Sequence, residues 1–176
     1  MNRPNRLNQT KKTLASEQIQ MIVFKLEETE FAVPITQAIR IVRLSSITRV
    51  PRAPDFLEGV INVEGEVTPV VDLKKRFSLS RTPYGSKARI IIIETEAQQV
   101  GLMVDLVCEI LTLPAEAIEP PPNMIADING VYLTGVAQLD NRLLVILDLA
   151  NVLTLKEIDS LEEFAPDNAT LNGEML

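Results

Sequence analysis

GVINVEGEVTPVVDL, residues 59–73, decides the fold: two valine-rich runs flank a glycine-containing turn, and the second run stops at a carboxylate, Asp72. Apolar runs of this length around a turn read as a β-hairpin. The pattern then returns. FLEGVINVEGEVTPVVDLKKRF (56–77) lies over YLTGVAQLDNRLLVILDLANVL (132–153) at a constant offset without a gap, matching Leu57, Gly59, Val60, Asp72 and Leu73 to Leu133, Gly135, Val136, Asp148 and Leu149. Upstream, FAVPITQAIRIV (31–42) matches VGLMVDLVCEIL (100–111) by apolar pattern, and the Pro-rich insert EPPPNMIADIN (119–129) accounts for the differing offset. Self-similarity of this kind marks an internal duplication.

Within each half the apolar residues are mainly Val, Ile and Leu, cut into short runs by Pro, Gly, Asn and charged pairs, which favours many short strands. MIVFKL (21–26) and FAVPI (31–35) form a hairpin around EETE, and AIRIVRL (38–44) reads as a short helical turn entering a strand. RVPRAPDF (49–56) cannot be helical, because Pro51 and Pro54 remove donors and push their predecessors to extended angles. Side-chain alternation predicts an odd loop at each second hairpin. Glu64, Gly65 and Glu66 would connect a facing Val63 and Val67, and Asp140, Asn141 and Arg142 a facing Leu139 and Leu143.

Each half therefore holds about five strands by ordinary strand length, and five short twisted strands bury their apolar face best by closing into a small barrel. The expected organisation is a basic arm (1–18), a first barrel (19–82), a second barrel (83–153) packed on it, and a C-terminal helix with a frayed tail (154–176). In DLANVLTLKEIDSLEEF the residues Leu149, Val152, Leu153, Leu155 and Ile158 fall near helical spacing, so that helix is expected to lie across the barrels.

Composition narrows the function. A net charge of −7 without a basic, aromatic-interleaved stripe speaks against nucleic acid as a partner. The absence of histidine removes the commonest metal ligand and the commonest acid-base group near neutral pH. Neither a metal nor a cofactor is expected. The longest apolar runs, IIII at 90–93 and LLVIL at 143–147, fall well short of the roughly 20 residues of a spanning helix. With a single cysteine, Cys108, no intrachain disulfide can form, and a reducing, cytoplasmic location is expected.

Asp72 and Asp148 occupy equivalent places in the duplication and invite comparison with a shared-proton carboxylate pair, hence with a hydrolase. Such a pair needs each Asp on a tight loop followed by a small hydroxyl residue and Gly. Here Leu73 and Lys74 follow the first, and Leu149 and Ala150 the second. The better reading is that each Asp caps the helical turn after it. Glu64 and Glu66 read as hairpin-tip charges and Arg40 and Arg43 as a basic edge on the first barrel, either solvated or in partner contact. Met103 and Cys108 are expected in the core.

PRAPDFLEGVINVEGEVTPVVDLKKRF (51–77) resembles the CheW-like domain of bacterial chemotaxis coupling proteins, with its pattern of Pro-x-x-Pro, an aromatic, Gly-Val-x-Asn-Leu-Arg-Gly and x-x-x-Pro-Val-x-Asp-Leu. The resemblance runs from MIVFKLEETEFAVPI through YLTGVAQLDNRLLVILDLANVL, so residues 19–155 would form one such domain. It implies an all-β fold of two intertwined five-stranded SH3-like barrels with short helical turns. It also implies a non-enzymatic adaptor linking the cytoplasmic tip of a methyl-accepting chemoreceptor to the regulatory domain of a CheA-type histidine kinase. The pathway expected on this resemblance is chemotaxis, phototaxis or pilus-based motility. The positions matching the family's contact motifs are Ala38, Arg40, Gly59, Asn62, Glu64 and Gly65, with Gly135 in the second half. Two charges depart from the pattern, since the family usually has Arg where Glu64 stands and Glu where Arg40 stands. That exchange keeps a second possibility open, a divergent module that binds the kinase without receptor coupling.

Overall fold

A computed structural model describes residues 17–79, 82–121 and 133–149. The order is β1 (Gln18–Leu26), β2 (Thr29–Pro34), a 3-10 turn (Ile35–Gln37), β3 (Ala38–Arg43), β4 (Leu57–Val63), β5 (Glu66–Asp72) and the single helical turn α1 (Leu73–Arg76). Then follow β6 (Arg89–Glu94), β7 (Gln99–Val104), β8 (Leu106–Pro114), a 3-10 turn (Ala115–Ala117), β9 (Ile118–Glu119), β10 (Leu133–Leu139) and β11 (Arg142–Leu147). The expected C-terminal helix, the arm before residue 17 and most of the Pro-rich insert lie outside the described residues.

The strands make two sheets, ordered β3-β6-β7-β5-β4 and β8-β1-β2-β11-β10-β9. The chain is thus all-β with two barrels, and the barrels are intertwined. Hairpin β1–β2 of the first half pairs with strands of the second, and hairpin β6–β7 of the second half pairs with strands of the first. The exchange is marked by two parallel pairings at corresponding places, Val70 with Gly101 and Ile146 with Ala32. A boundary at residues 82 and 83 therefore does not separate the two sheets, because each sheet needs a hairpin from across it.

Each sheet closes on itself. In the first barrel the chain after β3 returns to β4 as one bridge, in which the Thr48 N–H donates to the Val60 carbonyl at 2.9 Å and the Val60 N–H to the Thr48 carbonyl at 2.9 Å. In the second, β8 and β9 are one run bent by the intervening 3-10 turn, and β9 pairs with β10 through Ile118 and Glu119. The sixth strand of that sheet is thus the continuation of β8. The duplicated glycines sit at these closures. A methyl group on Gly59 would meet the Thr48 carbonyl oxygen at 2.3 Å, and one on Gly135 the Glu119 carbonyl oxygen at 2.6 Å. Both closures depend on backbone approaching backbone where a side chain would stand.

Three apolar cores result among the described residues. Ile22, Phe24, Val33, Val71, Ile91 and Leu102 belong to the one between the barrels. Met21, Val23, Ala32 and Leu144 lie inside the second barrel, and Ile61, Val70, Ile90 and Met103 inside the first. Strands such as IIII at 90–93 are apolar throughout because one face lines a barrel and the other the layer between barrels.

Several local expectations are corrected. The helical turn precedes residue 38 instead of starting there, since Ile35–Gln37 carries it and Ala38 already extends. Both second hairpins use two-residue turns: Val63 faces Glu66 and Leu139 faces Arg142, with Asn62 opposite Val67. The odd-loop argument fails because β5 is apolar on both faces, so alternation does not fix its parity. Glu64 at φ 50° and Gly65 at φ 90° supply two successive positive angles, the turn whose twist matches that of paired strands. Cys108 is exposed, not core. Val23 pairs with Glu109 and Phe24 with Val107, so Cys108 is the extra residue of a β-bulge and leaves the ladder.

Candidate functional site

Arg40 lies on β3, opposite Ile92, and Glu64 lies at the tip of the β4–β5 hairpin. These strands are the two edges of the first sheet, brought together by closure. Across that seam the Arg40 guanidinium meets the Glu64 carboxylate at 2.6 Å, with the two side chains 39% and 74% exposed. The hydrogen bond and charge of Arg40 hold the Glu64 carboxyl below its ordinary range, and Glu64 in turn raises Arg40. At the same tip the Gly65 N–H donates to Asn62 Oδ1 at 2.7 Å, which orders the turn. Ile39 and Ile41 flank Arg40 and are exposed. Arg40, Asn62, Glu64 and Gly65 therefore gather into one patch.

The other expected residues lie elsewhere. Ala38 is half-buried at the start of β3 and packs on the inter-barrel core. Gly59 is buried beneath the first closure, and Gly135 is buried at the corresponding place in the other barrel. These three shape the surface from below.

The second barrel carries a counterpart that sequence reasoning passed over. Glu109 on β8 meets Arg142, beside the β10–β11 turn, at 2.7 Å, and Arg142 also reaches the Glu30 carboxylate at 3.1 and 3.2 Å. Hydrogen bonds donated to these two carboxylates raise the Arg142 guanidinium further above its ordinary range. In the duplication Glu109 stands where Arg40 stands, and Ile110, exposed, stands where Ile41 does. The seams carry ion pairs of opposite polarity. The signal was present in the alignment of 31–42 with 100–111, which sets Arg40 over Glu109.

Asp72 proves to be the cap expected of it: Oδ1 accepts the N–H groups of Lys74 at 2.9 Å and Lys75 at 3.2 Å. The Tyr84 hydroxyl donates to the same oxygen at 2.5 Å. Burial, and then this hydrogen bond, push the Tyr84 phenol far up. Asp148 accepts from Gln37 Nε2 at 3.1 Å, and the turn it is expected to cap lies outside the described residues. No hydrogen bond joins Asp72 to Asp148 among those of the described residues. A cavity of about 470 Å³ lies beside Asp72, lined by Ile47, Glu58, Lys74, Tyr84 and Met103, with the charges on its wall engaged with one another. Among the described residues no group of three or more His, Cys, Asp or Glu side chains is arranged to hold a metal ion. No helix among them is long and apolar enough to cross a membrane.

Comparison with known proteins agrees with this architecture. Residues 20–157 match the family model for the CheW-like domain. A chemotaxis protein CheW of Bacillus subtilis is 37% identical over 149 residues, covering 85% of this chain and 94% of the relative. The chemotaxis protein CheW of Klebsiella aerogenes is 30% identical over 154 residues, covering 86% of this chain and 93% of the relative. Among solved structures, the scaffolding protein TtCheW from Thermoanaerobacter tengcongensis superposes with a TM-score of 0.73 at 34% identity, covering 80% of this chain and 96% of that one.

Proposed function

The chain belongs to the CheW-like domain family, whose members are chemotaxis scaffolds and not enzymes, and from that premise we propose that it couples a chemoreceptor-type sensory protein to a CheA-type histidine kinase. The pathway served is chemotaxis, phototaxis or pilus-based motility. Signal passes through such a protein by the holding of two partners in register, not by chemistry.

One observation carries this reading: the first seam gathers Arg40, Asn62, Glu64 and Gly65 beside the exposed Ile39 and Ile41. Apolar contact supplies affinity at such a patch, and the charges around it choose the partner and its orientation. Gly59 and Gly135 support these contacts by letting backbone close under the two seams, and Ala38 does so from the inter-barrel core. The protein reaches receptor arrays at the membrane through these partners. Co-sedimentation tests the proposal: the kinase should pellet with receptor-bearing membranes only when this protein is present. Equal recruitment without it would overturn the coupling role.

The exchanged charges favour a second reading. Arg40 and Glu64 stand where the resemblance leads one to expect the opposite signs, so a partner matched to the usual polarity would meet like charges here. A module that holds the kinase but not the receptor would pull the kinase down in solution yet fail to bring it to membranes.

A further inference from the structure

The described chain passes between the barrels twice, from β2 to β3 through Ile35–Gln37 and from β7 to β8 through Asp105 alone. At the first passage Gln37 Nε2 donates to Asp148 Oδ1 at 3.1 Å, and Gln37 Oε1 accepts the Leu149 N–H at 2.9 Å. At the second passage the side chain is charged and reaches both barrels. Asp105 Oδ1 accepts from Lys74 Nζ at 2.8 Å, on α1 of the first barrel, while Oδ2 accepts the Glu27 N–H at 2.7 Å, in the β1–β2 turn of the second. The Asp105 N–H also donates to the Lys25 carbonyl at 3.0 Å. Lys74 is 2% exposed, donates to the Thr82 carbonyl at 2.8 Å, and lies 3.9 Å from the centre of the Tyr84 ring.

We propose that Lys74 and Asp105 are positioning residues: their ion pair, buried at Lys74 and half-buried at Asp105, sets the angle between the barrels and so the placement of one seam relative to the other. The layer between the barrels is built from residues such as Ile22, Val33, Ile91 and Leu102. Apolar burial is non-directional, so it resists separation of the barrels more than rotation of one over the other. A buried ion pair with directed hydrogen bonds has the converse character. Its desolvation cost leaves little net stability, but only one arrangement satisfies it, and registry is the best-attested use of such pairs. Asp105 accepts from both bodies with separate oxygens, so a change of angle would break at least one bond.

Distances between spin labels test this in the full-length chain. Cysteines at Glu66 and Gln138, both exposed and on different barrels, carry the labels in a Cys108→Ser background. Lys74→Met keeps the apolar stem and removes the ammonium, and Asp105→Asn keeps an acceptor for the Glu27 N–H. Each should displace the mean distance and broaden its distribution. Lys75→Met, which loses only a contact to Glu58 within the first barrel, should leave the distribution at the wild-type one. A folded Lys74→Met or Asp105→Asn protein with a wild-type distribution overturns the proposal, even if its urea midpoint falls, because that result marks a merely stabilising pair. Should Lys74→Met fail to fold, Asp105→Asn alone decides. The readout involves no binding partner, so it stands or falls independently of the coupling function.

Discussion

Arg40 and Glu109 occupy corresponding places on the edge strands of the two barrels with opposite charge, and each is ion-paired across its own seam. The pairs differ in support. Arg40 has one carboxylate partner across its seam, whereas Arg142 is held by both Glu30 and Glu109.

Reversing the first pair as a whole should preserve the fold. Arg40→Glu/Glu64→Arg restores an ion pair in the same seam, so its thermal midpoint should match wild type, while its preference between receptor tips of different charge should invert. Either single reversal juxtaposes like charges and should bind worse than both. Unchanged partner preference in the double variant, measured by titration against its own and a differently charged tip, contradicts a specificity role for the pair.

The Glu64 carboxyl also predicts a pH dependence. Its pKa is lowered in the folded state by the Arg40 hydrogen bond, so the pair contributes stability above the unfolded glutamate range and loses it as pH falls through the folded value. Both groups are solvated, so the effect is small and salt-screened. Glu64→Gln should therefore unfold slightly more easily than wild type at neutral pH and indistinguishably from it in acid.

Adding one carbon at either closure should be costly. Overpacking against a rigid neighbour typically destabilises by roughly 1–3 kcal/mol. Gly59→Ala should lie at the upper end of that range, because its contact is backbone carbonyl at 2.3 Å and its φ of 154° suits few side chains, with Gly135→Ala below it. Urea denaturation of the two variants checks the order.

Removing the Asp72 carboxylate takes away a helix cap, typically about 1 kcal/mol, and leaves the half-buried Tyr84 hydroxyl with the longer contact to the Met103 carbonyl at 3.4 Å, a further loss of ~1 kcal/mol. Asp72→Ala should thus be more destabilised than Tyr84→Phe, which removes donor and need together. The raised Tyr84 phenol gives a second readout: a group that keeps its proton when folded costs stability as pH rises above the unfolded tyrosine range. Tyr84→Phe should flatten the alkaline arm of the stability curve, measured by urea midpoints across that range.

Much of this was legible in the chain. The match of Leu57, Gly59 and Asp72 to Leu133, Gly135 and Asp148 points to the two-barrel architecture, and the residue types after each Asp already argue against a hydrolase. Three things were not. Which hairpin completes which barrel is invisible to self-comparison, because the duplicated segments are identical in pattern whether they pair within a half or across halves. The parity of the β4–β5 turn could not be read because β5 is buried on both faces, with Thr68 and Val70 on one and Pro69 and Val71 on the other. Cys108 looked buried within LVCEIL because a bulge removes one residue from the alternation that would have placed it.

The hairpin exchange bears on how this protein is made. A ribosome releasing residues 17–79 has delivered β1 and β2 without the sheet they complete and β3 to β5 without the hairpin that fills theirs. Neither body can mature in the order of synthesis, and the nascent first half must wait, valine-rich and unpaired, until the second emerges. Separately expressed halves should accordingly be insoluble alone and recover native structure only when mixed.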